Sequence, residues 1–81
     1  MSKVAVIFKV YPKDGEFDKA MEGLKKMKSN GMQTEEIGFG IKLIKIMFVY
    51  EDTETSSSKI EEDVRKCDGV GEVEVAEETL V

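Results

Sequence analysis

Histidine and tryptophan are absent from the 81 residues, and proline and cysteine occur once each. Without histidine, and with Cys67 alone, there is no CxxC pair, no ordinary zinc set and no iron-sulfur ligation. A single thiol also forms no intramolecular disulfide. No stretch approaches the roughly 18 apolar residues of a membrane span. The opening MSKVAVIFKV, with lysines at 3 and 9, lacks the uninterrupted apolar region of a secretory signal. A soluble, cytoplasmic protein is expected. One proline and no low-complexity run, with 41% hydrophobic and 36% charged residues, describe a globular chain and not a disordered one. Its length suits one core, so residues 1–81 are expected to form a single domain.

The net charge of -5 is unevenly spread. Residues 1–31 hold seven lysines against four acids, whereas residues 32–81 hold five bases against thirteen acids. That balance argues against broad binding to a phosphate backbone, which draws its affinity from clustered Lys and Arg. Most of these charges read as a solvated surface.

Hydrophobic periodicity gives the element order. Lys3 to Tyr11 alternates with a period of two, Val4, Val6, Phe8 and Val10 opposing Ala5, Ile7, Lys9 and Tyr11, which predicts a central strand. Pro12 to Gly15 reads as a turn. Phe17, Ala20, Met21, Leu24 and Met27 then recur at helical spacing, with acids early and lysines late. Ser29-Asn30-Gly31 is expected to end that helix through a left-handed cap. Met32 to Ile37 is a weak edge-strand candidate, and Ile41 to Tyr50, dense in β-branched and aromatic residues, is a long central strand. The serines at 56–58 offer N-cap oxygens to a second helix with Ile60, Val64 and Cys67 on one face, closed by Asp68-Gly69. Val70 to Val81 forms the last strand, with Val73 and Val75 on one side and Glu72 and Glu74 on the other. The order βαββαβ packs most economically as a ferredoxin-like α+β plait: a four-stranded antiparallel sheet with two helices on one face.

That fold hosts many functions, so function has to come from residues. The most unusual stretch is Ile37-Gly38-Phe39-Gly40-Ile41-Lys42, an aromatic between two glycines at the mouth of the long strand. Flexible backbone on both sides lets Phe39 project, and a projecting Phe is an effective anchor in a partner pocket. The alternative is a ring folded back onto its own sheet.

This segment, with Leu43, Ile46 and Val49-Tyr50-Glu51-Asp52, resembles the catalytic domain of the translation elongation factor 1 beta family, whose archaeal members consist of this domain alone. Weaker agreement continues through Ser58 to Val64 and Val70 to Val75. The resemblance implies a guanine nucleotide exchange factor that accelerates GDP release from the elongation factor 1 alpha GTPase, without bond chemistry, cofactor or metal. It implies partner-binding roles for Phe39, as leading anchor, and for Ile37, Gly38, Gly40 and Lys42. The family often ends in a basic residue before a terminal aliphatic one, and in eukaryotic members that lysine reaches the Mg²⁺ and phosphate region. Here Leu80 stands in that place, and leucine cannot compete electrostatically with a metal ion. Lys42 and Lys45 are the substitute cations the sequence offers, and indirect displacement through the switch segments is the other route.

Two further readings share the plait. An RNA-recognition module also carries Gly-aromatic-Gly on its third strand, but it wants a base before that glycine and stacking rings beyond, where this chain has Ile37, Ile41 and Ile44. A small-ligand regulatory plait is the other, most simply as a dimer joined through sheet edges; for the exchange reading a monomer is favoured. An enzyme is not expected. The paired acids Glu35-Glu36, Glu51-Asp52, Glu61-Glu62-Asp63 and Glu77-Glu78 read as solvated faces, Cys67 as a structural thiol, and GFG lacks the Lys-Ser/Thr of a phosphate loop.

Overall fold

A computed structural model describes residues Ser2–Val81. Strand β1 (Lys3–Pro12) is followed by helix α1 (Phe17–Lys25), strands β2 (Gly31–Glu36) and β3 (Lys42–Glu51), helix α2 (Ser57–Arg65) and strand β4 (Val70–Leu80). The strands form one antiparallel sheet in the order β2-β3-β1-β4. This is the expected ferredoxin-like α+β plait, with β1 and β3 in the middle and the weak strand β2 at an edge.

Alternation within the two central strands decides where the core lies. Val6, Phe8 and Val10 of β1 and Ile44, Ile46 and Phe48 of β3 share one face, and they pack with Ala20 and Leu24 of α1, Val64 of α2, and Val70 and Val73 of β4. Phe8 and Phe48 meet edge to face with ring centroids 6.1 Å apart. Each large side chain buried here contributes about 1.5–3 kcal/mol. Leu24 is fully buried, and truncating it to alanine would cost about 2–5 kcal/mol. The opposite face of β1 carries no helix, so Ala5, Ile7, Lys9 and Tyr11 are only half-buried. The apolar residues on that side of β1 therefore line an open sheet face and not a second core.

Local chemistry sets the helix ends. The Ser56 hydroxyl accepts from the Lys59 backbone N–H at 3.3 Å, the cap expected from the serine run. The expected left-handed cap after α1 does not form: α1 ends at Lys26 in a right-handed conformation, and neither Asn30 nor Gly31 has a positive φ. Asn30 instead joins the sheet, its N–H donating to the Met47 carbonyl at 2.7 Å and its side-chain oxygen accepting from Val49 N–H at 2.9 Å. Cys67 lies beyond the last turn of α2, one residue past the cap at Lys66, and is half-buried against the core.

Strand β4 follows β1 with two irregularities. Ile7 faces Glu77 but Phe8 faces Val75, and Tyr11 faces Glu72 but Pro12 faces Val70, so Ala76 and Gly71 are extra residues in the ladder. Val73 and Val75 share a side as expected, but Val75 is 41% exposed because β4 is an outer strand that the helices do not fully cover. Gly69 makes the turn into β4 with φ +84°, and a Cβ there would stand 2.7 Å from Ala20 N and 2.8 Å from the Glu16 carbonyl. Only glycine allows α1 and this turn to come so close.

Candidate partner-binding loop

The segment Ile37–Ile41 joins β2 to β3 and closes on itself. Ile37 N–H donates to the Ile41 carbonyl and Ile41 N–H donates to the Gly38 carbonyl, both at 2.9 Å. Three consecutive residues inside this loop are left-handed: Gly38 at φ +101°, Phe39 at +56° and Gly40 at +75°. Glycine takes such values freely, whereas a residue with a side chain gives up about 1–2 kcal/mol. Phe39 is the one non-glycine with positive φ among the described residues, so the loop holds an aromatic in strained backbone at its tip.

The ring does not fold back. Phe39 is fully exposed at 103%, and its neighbours Ile37 and Ile41 are each about half exposed. Covering that ring in a partner pocket would be worth roughly 2–3 kcal/mol from its apolar area alone. Gly38 and Gly40 have no other atom within 4 Å of where a Cβ would stand, so their freedom serves the shape of the loop and not a packing contact.

Lys42 opens β3 on the helix side, in register with Glu36, and its Nζ sits 5.4 Å from the centroid of the Phe17 ring. Lys45 points to the open face, where its Nζ meets a Glu35 carboxylate oxygen at 2.8 Å. That hydrogen bond, followed by the lysine charge, holds the Glu35 carboxyl below the usual carboxylate range. Both lysines offered as substitutes for a C-terminal base thus have partners within the fold. Leu80 is 71% exposed and pairs with Val4, whereas the loop follows the end of the sheet where Val10 pairs with Ile44. Six residues of strand separate those levels, about 20 Å. The loop and the C-terminal segment therefore occupy opposite ends of the molecule.

Other features of the surface are chemically mild. Cys67 donates to Met27 Sδ at 3.8 Å, and burial, then the charges of Asp68 and Asp63, push its thiol up. A high thiol pKa keeps the thiolate scarce and suits a structural role. Among the described residues, no three His, Cys, Asp or Glu side chains gather as a metal-holding group. No helix among them is long and apolar enough to cross a membrane. On the open face of β1 and β3, Tyr11 is the single ring, and Ile7, Met47, Lys9 and Lys45 stand where an RNA-recognition sheet would present stacking aromatics. Sequence reasoning found the loop; it did not find the Phe17 platform, because nothing in the spacing of Phe17 and Lys42 brings them together before the fold is known.

Comparison with known proteins gives a consistent result. The model of the EF-1 guanine nucleotide exchange domain family matches residues 5–81. The chain is 37% identical over 84 aligned residues to elongation factor 1-beta of Methanosphaerula palustris, covering 99% of both chains. It is 34% identical to elongation factor 1-beta of Thermoplasma volcanium across the full length of both. The corresponding protein of Aeropyrum pernix is 36% identical, with 93% of this chain and 92% of the relative covered.

Proposed function

The chain belongs to the EF-1 guanine nucleotide exchange domain family, and we propose that it is a single exchange domain that promotes GDP/GTP exchange on elongation factor 1 alpha during translation elongation, with Phe39 as its leading anchor. The observation that supports the anchor is the fully exposed ring at the tip of a closed, left-handed loop. Gly38 and Gly40 supply the loop's backbone, Ile37 widens its apolar tip, and Lys42 stands at its base. The setting is the cytoplasm, and the working unit is a monomer that binds neither nucleic acid nor membrane.

Exchange requires no acid, nucleophile or bound metal of its own. If the factor binds the nucleotide-free GTPase more tightly than the GDP-bound form, linkage obliges it to weaken GDP binding by the same ratio. Switch segments of a GTPase are ordered by phosphate and Mg²⁺, so an inserted ring that stabilises their displaced arrangement loosens both ligands. With leucine at position 80, the metal is released indirectly through those segments and not by a cation arriving from the tail. Incoming GTP then restores the ordered state and expels the factor.

Stopped-flow release of a fluorescent GDP from an archaeal elongation factor 1 alpha tests this reading. The chain should raise the release rate in a saturable manner and form a stable complex with the nucleotide-free GTPase that GTP dissociates. A release rate unchanged at saturating protein, with no complex, would leave only the fold in common.

A further inference from the structure

We infer that Lys42 and Phe17 are positioning residues that pin the anchor loop to the first turn of α1. This inference rests on the exchange reading for its functional consequence, but not for its structural one.

The pairing between β1 and β3 ends at Val10 and Ile44, while β2 and β3 continue as a pair out to Glu36 and Lys42. Lys42 therefore lies beyond the last rung that ties β3 to the centre of the sheet, and the loop carrying Phe39 ends one residue before it. A two-stranded overhang is poorly constrained on its own. Beside it, a cleft of about 150 Å³ separates the overhang from the Pro12–Gly15 turn, lined in part by Gly40, Ile41, Lys42 and Phe17.

The contact between Lys42 and Phe17 reaches across that gap. Strand alternation puts Lys42 on the helix side, and its ammonium stacks on the Phe17 ring at 5.4 Å from the centroid. Phe17 is a firm platform, since it is the first residue of α1 and packs against the core cluster. Lys42 forms no ion pair with Glu36, its partner across the ladder; the ion pairs among the described residues engage Lys19, Lys45 and Arg65. Its charge is therefore directed at the ring. A loop that is already oriented loses less freedom when its aromatic enters a pocket, which raises affinity without altering the rate of the bound complex.

The test combines relaxation of the free protein with exchange kinetics for Lys42→Met, Lys42→Arg, Phe17→Leu and the Lys42→Met/Phe17→Leu double variant. Lys42→Met keeps the aliphatic stem and removes the charge at an exposed site, so it should melt like the wild type. Backbone ¹⁵N order parameters at Gly38, Phe39 and Gly40 should fall from the rigid range, about 0.8, to below about 0.6 in Lys42→Met and recover in Lys42→Arg. In the GDP-release assay Lys42→Met should raise the half-saturating concentration about two- to five-fold at unchanged maximal rate, in line with one exposed cation–π contact. The double variant should be no worse than the poorer single variant. Unchanged order parameters in Lys42→Met, or kinetic effects that multiply in the double variant, would overturn the pin and make Lys42 a direct contact instead. If the wild type fails to accelerate release, the exchange reading falls, and the order parameters still decide whether the pin exists.

Discussion

Two turns of this molecule use left-handed glycine for opposite ends. At Gly69 a Cβ would meet Ala20 N at 2.7 Å and Lys19 Cβ at 2.9 Å, so the absence of a side chain lets the turn before β4 press against α1. At Gly38 and Gly40 nothing lies within 4 Å, and the same backbone freedom bends a loop outward to hold Phe39 in water. The first turn is about packing and the second about presentation. Glycine alone does not tell them apart; what surrounds the missing Cβ does.

Alanine substitutions sharpen that difference. Gly69→Ala should be the most damaging, since left-handed strain adds to a collision with backbone that cannot give way. A loss of about 3 kcal/mol or more is expected. Urea unfolding would show it, and the melting temperature of a domain this size should drop by at least about 12 °C. Tolerance of alanine there would remove the packing half of the comparison. Gly40→Ala should cost only about 1 kcal/mol of stability, from strain alone, yet lower GDP release about tenfold by re-aiming Phe39. Equal losses of stability at 69 and 40 would break the distinction.

Smaller effects separate contacts that only support the scaffold. The Leu80→Ala variant should stay within about a factor of two of wild-type exchange, because a neutral side chain at the opposite end of the sheet supplies no charge to a metal site. Cys67, whose thiol is pushed up chiefly by burial, should react with iodoacetamide near pH 8 more slowly than an unfolded control, the two rates converging in urea. The smallest effect belongs to Glu35. Its carboxyl is lowered by Lys45, so the stabilisation is present above the ordinary carboxylate range and is lost as pH falls through the lowered value. The melting difference between wild type and Glu35→Gln should therefore be slight at pH 7 and vanish in acid.

How much of this the sequence disclosed depends on whether a local pattern carried the information. The long alternation of Ile41 to Tyr50 and the Ser56 cap are local signals, and those elements stand where their pattern put them, give or take a residue, whereas the helical spacing from Phe17 to Met27 runs past α1, which ends at Lys25. Asn30 misled because its composition suits a left-handed cap, while its side chain was claimed by Val49 of a strand many residues away. The extra residues Ala76 and Gly71 in β4 were invisible, since they arise from matching an eleven-residue edge strand to β1. The Ile37–Lys42 segment was conspicuous as sequence, but the run of three positive φ values and the Lys42 stack on Phe17 belong to tertiary structure. Local patterns revealed which loop to examine; only the fold revealed how its ring is held.

The central claim is that exchange depends on a ring presented to the GTPase and not on any group that reacts. Its most direct test is GDP release from elongation factor 1 alpha by wild type and Phe39→Ala at matched concentrations, alongside their melting curves. Phe39→Ala should melt no lower than wild type, because the ring touches nothing within the fold and its left-handed strain is no worse with alanine. Its release rate should fall roughly thirtyfold or more toward the unassisted value, the loss expected of a central interface anchor. Release at the wild-type rate from a well-folded Phe39→Ala protein would contradict the claim and move the exchange surface elsewhere on the molecule.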